Sequence, residues 1–265
     1  MCRFAAYLGP EITLDELITR PSHSLIHQSF KSEEREEPLN GDGFGVAWYA
    51  HGVSTEPGRY RSVSPAWNSQ NLQHIARVTR TTCTFAHIRA ASPGLGVTET
   101  NCHPFLMGHL AFMHNGYIPQ FAMVRRALLQ RLSDQSFHKI YGTTDSEHMF
   151  GVFADHLRNE GSSGIVEMAA ALRRTLEDVD KLLAEFGVNE ASQLNLAVTD
   201  GHRMVVSRFS GGSRDEPPNS LHVRTVDDSV LIASEALNDE PGWRDVPEDH
   251  LVIVDSDRSV HIEAL

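Results

Sequence analysis

Apolar residues in this chain recur at two spacings, one near two residues and one near 3.6, and the switch between them divides the chain into three stretches. Residues 2–8 alternate and read as a β-strand. Residues 14–30 carry helical signals: Thr13 can cap before Leu14, Glu16 follows at the third helical position, and Leu14, Leu17 and Ile18 share one face. Pro21 breaks that segment, and Ser22 is the expected cap of a second short helix running through Phe30. The charged run from Lys31 to Glu37 reads as a solvated connector. Strands are predicted over 44–50, 60–63, 82–88 and 110–114, with a short helix over 70–77.

Three helices are then predicted, over about 120–132, 144–159 and 163–186. The third places Ile165, Met168, Leu172, Leu176, Val179 and Leu183 at spacings of three and four, an amphipathic face. The last third returns to strands, over 195–199, 204–209, 221–225, 230–234, 251–255 and 260–262. Asp200-Gly201 supplies a hairpin turn between the first two of these. Strands, then helices, then strands argue for an α+β layered fold rather than a βαβ repeat. No repeat or low-complexity linker interrupts the order, so residues 2–265 are read as a single domain. Residues 211–219, rich in Gly, Pro and charge, are expected to form a surface loop and to be the piece most prone to disorder.

Composition narrows the function classes. With 265 residues and 40% hydrophobic content, the chain can bury a substantial core. No apolar run reaches the roughly 18–20 residues that span a bilayer, and the start lacks a basic-then-apolar leader. A soluble cytoplasmic protein is therefore expected. The net charge of -12 argues against nucleic-acid binding. Cys2, Cys83 and Cys102 match no zinc spacing and are expected to stay reduced. No His-Glu-x-x-His motif occurs among the fifteen histidines, and His23, His27 and His51 are read as ordinary surface or half-buried residues. Neither a metal nor a cofactor is expected.

The candidate chemistry begins at Cys2. Removal of Met1 would leave a cysteine whose thiol is a nucleophile and whose own α-amine can serve as its base. Such an amine titrates at about 7.7–8.0, so a sizeable part is neutral at physiological pH. Four further patches stand out: Asn40 to Tyr49 (NGDGFGVAWY); Ala86 to Ser92 (AHIRAAS); Asn101-Cys102-His103-Pro104 leading to His114-Asn115-Gly116; and Gly142 to Glu147 (GTTDSE). Each also has a purely structural explanation. Arg89 could form a surface ion pair, Asn115-Gly116 a hairpin turn, and Thr143, Thr144 or Asp145 a helix cap.

Together and in this order, these residues resemble the class II glutamine amidotransferases, members of the N-terminal nucleophile hydrolases. The resemblance implies a four-layer αββα sandwich with two stacked antiparallel sheets. It implies that Cys2 attacks a γ-glutamyl amide and that Asn115 and Gly116 form the oxyanion hole. It further implies that Arg89, with Ser92 nearby, holds the glutamyl α-carboxylate and that Asp145 receives the α-ammonium. By the same resemblance, His103, in the Asn-x-His-Pro segment, is expected to shape the pocket. Residues 17–21, 39–49, 65–68, 99–105 and 194–201 are more specifically similar to amidotransferase subunits of fungal glutathione-degradation complexes, and more distantly to ergothioneine-pathway amidohydrolases. The implied activity is hydrolysis of a γ-glutamyl amide in glutathione, a related compound or glutamine. The alternatives are a glutaminase passing ammonia to a partner synthase, a non-catalytic γ-glutamyl-binding subunit, and a histidine-based metal-binding protein. By the same resemblance, a peptidase-like or synthase partner is a further expectation.

Overall fold

Strand β1 (Arg3–Thr13) grows out of the apolar start of the chain and ends where Thr13 begins a helix. It is identified in a computed structural model that describes residues 2–34, 37–91, 96–212 and 216–265. Among the described residues there are two antiparallel sheets. The first has the order β12 (Arg244–Asp245), β10 (His222–Val226), β11 (Ser229–Ala233), β1, β4 (Arg80–Ile88), β2 (Phe44–Trp48), β3 (Gly58–Ser62). The second runs β14 (Val260–Ala264), β13 (His250–Val254), β8 (Met204–Arg208), β7 (Ser192–Thr199), β6 (Leu110–Tyr117), β5 (Phe105–Met107), with β9 (Ser210–Gly211) on β7. Strand β1 lies inside its sheet: Ala5 pairs with Ala86 of β4 on one side and Ala233 of β11 on the other.

Both faces of β1 are covered, which is why Phe4 to Leu8 is a continuous apolar run. Its alternation therefore separates two cores instead of separating core from solvent. Phe4, Ala6 and Leu8 face the second sheet, meeting Met113, Ala197 and Val206. Ala5 and Tyr7 face outward, against Leu14, Leu17, Leu25 and Leu72. Those residues belong to α1 (Leu14–Ile18), α2 (Leu25–Phe30) and α3 (Gln70–Ala76). On the far side of the second sheet, Phe112, Leu194 and Val205 pack on α4 (Phe121–Arg131), α6 (Asp145–Asn159) and α7 (Ile165–Glu185). A short α5 (Asp134–Phe137) packs on α6. The order of layers is thus helix, sheet, sheet, helix, as the resemblance implied. The amphipathic face expected over 163–186 is the buried stripe of α7, and each such fully buried Leu side chain contributes on the order of 1.5–3 kcal/mol.

The local expectations fared unevenly. Thr13 does open α1, and its N–H donates to the Glu16 carboxylate at 2.6 Å. The second helix is capped by Ser24, whose Oγ accepts from His27 N–H at 3.3 Å, and not by Ser22. A turn closed by Ser24 N–H on Pro21 O at 3.0 Å uses the intervening residues. The Asp200-Gly201 turn is present, with Asp200 Oδ1 accepting from His202 and Arg203 N–H at 2.8 and 2.7 Å. Within 211–219, residues 213–215 lie outside the described set, as do Arg35 and Glu36 of the charged connector. No helix of the described residues is long and apolar enough to cross a membrane.

Candidate active site

The site forms where the inner strands of both sheets end. Arg89 follows the last residue of β4, and the Asn40–Gly43 turn clamps it in place. Arg89 N–H donates to Gly43 O at 2.8 Å, Asp42 N–H donates to Arg89 O at 3.0 Å, and Ala91 N–H donates to Asp42 Oδ2 at 2.8 Å. Gly43 has φ +115°, and a Cβ there would lie 2.7 Å from both Cys102 Sγ and Ser62 O, so only glycine fits. Cys2 sits beside this segment, with its Sγ 3.5 Å from Ala90 O. Its carbonyl accepts from Arg3 Nη1 at 3.0 Å. The buried Arg3 guanidinium is in turn ion-paired to Glu235. His23 lies 2.8 Å from the same carboxylate, and Glu33 N–H donates to it at 3.0 Å. Burial works to raise the Glu235 pKa, but the His23 bond and the Arg3 charge outweigh it and hold it near 2.

Asn115 and Gly116 do not form a hairpin turn. Both lie within β6, opposite Asn195 and Leu194 of β7. Strand alternation sends Asn115 toward the first sheet, where its Nδ2 is 3.4 Å from Ser234 Oγ. The same hydroxyl accepts from Phe4 N–H at 3.1 Å, so Ser234 links the start of β1 to Asn115. Gly116 has φ +152°, and an added Cβ would meet Gln193 O at 1.8 Å. His114 turns to the opposite face and bridges Ser146 Oγ and Gln193 O, each at 2.9 Å.

Thr144 is the cap of α6, its Oγ1 accepting from Glu147 N–H at 3.2 Å. Asp145 is the first helical residue. Its Oδ2 accepts from Ile118 N–H and its Oδ1 from Ser146 N–H, both at 2.8 Å. Two N–H donors thus fix the plane of the carboxylate. Asn101 carries the adjoining wall, donating to Thr143 Oγ1 at 3.0 Å and accepting from Thr143 N–H at 2.8 Å. His103 stacks on His87 with ring centroids 4.1 Å apart. Both ring nitrogens of His103 are buried without a hydrogen-bond partner among the described residues. Burial holds His103 well below the usual histidine pKa and pulls His87 down to about 3, so both rings are neutral at pH 7.

Cys2, Arg89, His103, Gly116 and Asp145 all line one cleft of about 1350 Å³, whereas Asn115, next to Gly116 in β6, is fully buried and is not part of its lining. Ser92 lies outside the described residues. Arg89 is only 3% exposed, and both its terminal nitrogens point at Gly96 O from 3.4 Å. Among the described residues it has no ion pair, so the surface ion-pair explanation does not hold. The cleft therefore offers a thiol, a buried guanidinium and an oriented carboxylate. That set matches a ligand bearing one carboxylate and one ammonium beside an electrophilic carbon. Among the described residues no group of three or more His, Cys, Asp or Glu converges as metal ligands. Sequence reasoning missed Arg3, Ser234 and Glu235: Arg3 holds the Cys2 carbonyl and is itself paired with Glu235, 232 residues on, and Ser234 joins Phe4 to Asn115. It also missed Arg125 of α4 on the cleft wall. None of these four sits in a motif. The adjacency of Arg3 to Cys2 was the only signal that could have flagged one.

Comparison with known proteins gives a consistent picture. The family model described as "Glutamine amidotransferases class-II" matches residues 16–215. A probable glutamine amidotransferase of Saccharomyces cerevisiae is 38% identical over 294 residues, spanning 96% of this chain and 82% of the yeast protein. The gamma-glutamyl-hercynylcysteine sulfoxide hydrolase of Mycobacterium tuberculosis is 26% identical, spanning 100% of this chain and 97% of its own length. A solved glutamine aminotransferase class-II domain protein from Silicibacter pomeroyi superposes with a TM-score of 0.73 at 24% identity, covering 100% of this chain and 99% of that one. That structural likeness concerns the fold.

Proposed function

This chain belongs to the class II glutamine amidotransferases, a family of enzymes, and on that premise we propose that it hydrolyses a γ-glutamyl amide bond through a thioester on Cys2. The substrate is glutathione, a related γ-glutamyl compound or glutamine, and glutamate is the product. The observation that carries this reading is the convergence in one cleft of Cys2, the buried Arg89, which has no ion pair among the described residues, and the oriented Asp145.

In this reading Met1 is removed and the freed α-amine takes the Cys2 thiol proton. The thiolate attacks the γ-carbonyl. Arg89 binds the α-carboxylate through its planar fork, and Asp145 accepts hydrogen bonds from the α-ammonium. The tetrahedral oxyanion takes hydrogen bonds from Asn115 Nδ2 and Gly116 N–H. Loss of one such donor typically raises the barrier by about 2.7–4 kcal/mol. The ammonium at residue 2 then protonates the leaving amine, and water hydrolyses the thioester. His103 stays neutral and shapes the pocket, and Ser92 assists Arg89. Residues 2–265 act as one amidotransferase domain, so an ammonia-transfer reaction calls for a partner synthase and a peptide-processing role for a peptidase-like partner. A reducing cytoplasm keeps Cys2, Cys83 and Cys102 as thiols.

The test is glutamate release from glutamine and from glutathione, side by side, with intact mass reporting on Met1. Cys2→Ala is expected to abolish turnover and to leave the melting temperature within a few degrees. Preference for glutathione supports a γ-glutamyl peptide hydrolase, and preference for glutamine an ammonia-donating amidotransferase. Full activity in Cys2→Ala, or in protein that retains Met1, overturns the mechanism.

A further inference from the structure

We propose that Arg125 is the recognition site for a second substrate carboxylate, one lying beyond the scissile γ-glutamyl bond, so that the cleft selects acidic γ-glutamyl peptides over their neutral counterparts. The inference rests on the γ-glutamyl reading above and names the substrate class for that site.

Arg125 lies on α4, half-buried, and lines the same cleft as Cys2, Arg89 and Asp145. Its guanidinium is aimed by one edge. Nε donates to His148 Nε2 at 3.2 Å, and His148 Nδ1 lies 2.6 Å from Thr144 O. A carbonyl oxygen can only accept, so Nδ1 carries the proton and Nε2 offers the lone pair that Arg125 uses. The Phe121 ring meets His148 edge-on, with centroids 5.2 Å apart, and limits its rotation. Burial lowers the His148 pKa to about 4, so this neutral tautomer persists at pH 7. The result is a cation held through Nε, with no hydrogen bond from Nη1 or Nη2 and no ion pair among the described residues. Several helical arginines are paired, Arg131 of the same helix with Glu185, Arg158 with Asp155 and Arg174 with Glu160, while Arg126, the neighbour without an ion pair among the described residues, is exposed to solvent and not on the cleft. An unpaired, pre-aimed guanidinium in a chain of net charge -12 is a carboxylate site without its carboxylate.

Charge matching gives the ligand class. A γ-glutamyl group brings one carboxylate and one ammonium, which Arg89 and Asp145 satisfy. Glutamine has nothing left for Arg125, whereas a γ-glutamyl peptide ends in a further carboxylate. The cleft volume of about 1350 Å³ exceeds the roughly 300–1,000 Å³ usual for small-molecule sites, so a peptide-sized leaving group has room.

The experiment compares kcat/KM within matched pairs: glutathione against its C-terminal amide, and γ-glutamylglycine against γ-glutamylglycinamide. Glutamine is assayed alongside. Wild type is expected to favour the carboxylate member of at least one pair by about 10- to 100-fold, the usual range for a hydrogen-bonded charged group. Arg125→Gln is expected to bring that ratio close to one, and Arg125→Lys to restore part of it. A merely structural role would lower both members of a pair together and leave the ratio unchanged. Absence of preference in wild type, or a preference that survives Arg125→Gln, overturns the proposal even while glutamate is released. Processed enzyme that releases no glutamate from any of these compounds overturns the γ-glutamyl reading, and this inference with it.

Discussion

Arg89 shows how much a single buried side chain can decide. Its backbone is locked on both sides by Gly43 and Asp42, yet among the described residues its guanidinium meets a carbonyl at 3.4 Å and no counter-ion. Holding a buried cation without a counter-ion is costly, and a protein keeps it where a ligand supplies the missing charge. Arg89→Ala should therefore cut kcat/KM for γ-glutamyl substrates by about 100-fold or more, since two charged hydrogen bonds are lost. Stability should change little or rise, because the uncompensated charge goes too. An unchanged kcat/KM with a lowered melting temperature would mark Arg89 as a structural residue instead.

At the scale of elements, the site depends on where strands and helices begin. Helix α6 starts at Thr144, and its first turn delivers Asp145 to the cleft. Thr144→Ala removes the cap on Glu147 N–H and should cost about 1 kcal/mol, a fall in melting temperature of about 2–4 °C for a chain near this size. KM should rise more than kcat falls, because the change disturbs Asp145 and leaves Cys2 alone. Calorimetry with steady-state kinetics would check both, and equal loss in the two constants would count against this placement. The long amphipathic α7 and the paired strands were legible in the sequence because periodicity accumulates over five or more residues. Elements of two to four residues, β5, β9, β12 and α5, carry no period and were not seen. Strand β6 runs on through Gly116 although Asn115-Gly116 is a turn signal, because the pairing with β7 overrides the local preference. Cys2, Arg89, Asn115 and Asp145 were readable only as a set with a family likeness. Arg125 and His148 were not, since an arginine and a histidine on separate helices look like two solvated faces until the helices pack.

For the whole molecule, acid should be the weak direction. His87 and His103 are held neutral by burial, as is His114 despite Asp145 nearby. Their pKa values are depressed on folding, so their contribution is complete above about 6.5 and declines as pH falls from there through the folded value of each, about 3 for His87. Glu235, held near 2 against an ordinary 4.5, adds a second loss that begins below about 4.5. The urea midpoint should fall below pH 6.5 and fall more steeply below pH 4.5, and a flat profile from pH 7 to 4 would contradict the burial of these imidazoles. The topology also has a consequence in time. The strand that follows Cys2 is completed by β11, whose residues 229–233 are made late, with β12, β13 and β14 still to follow. At about 5–20 residues per second, the chain start waits on the order of 10–50 s for that neighbour during synthesis. On the proposed reading, in which Met1 is removed, that interval is the time available for trimming before β11 joins β1.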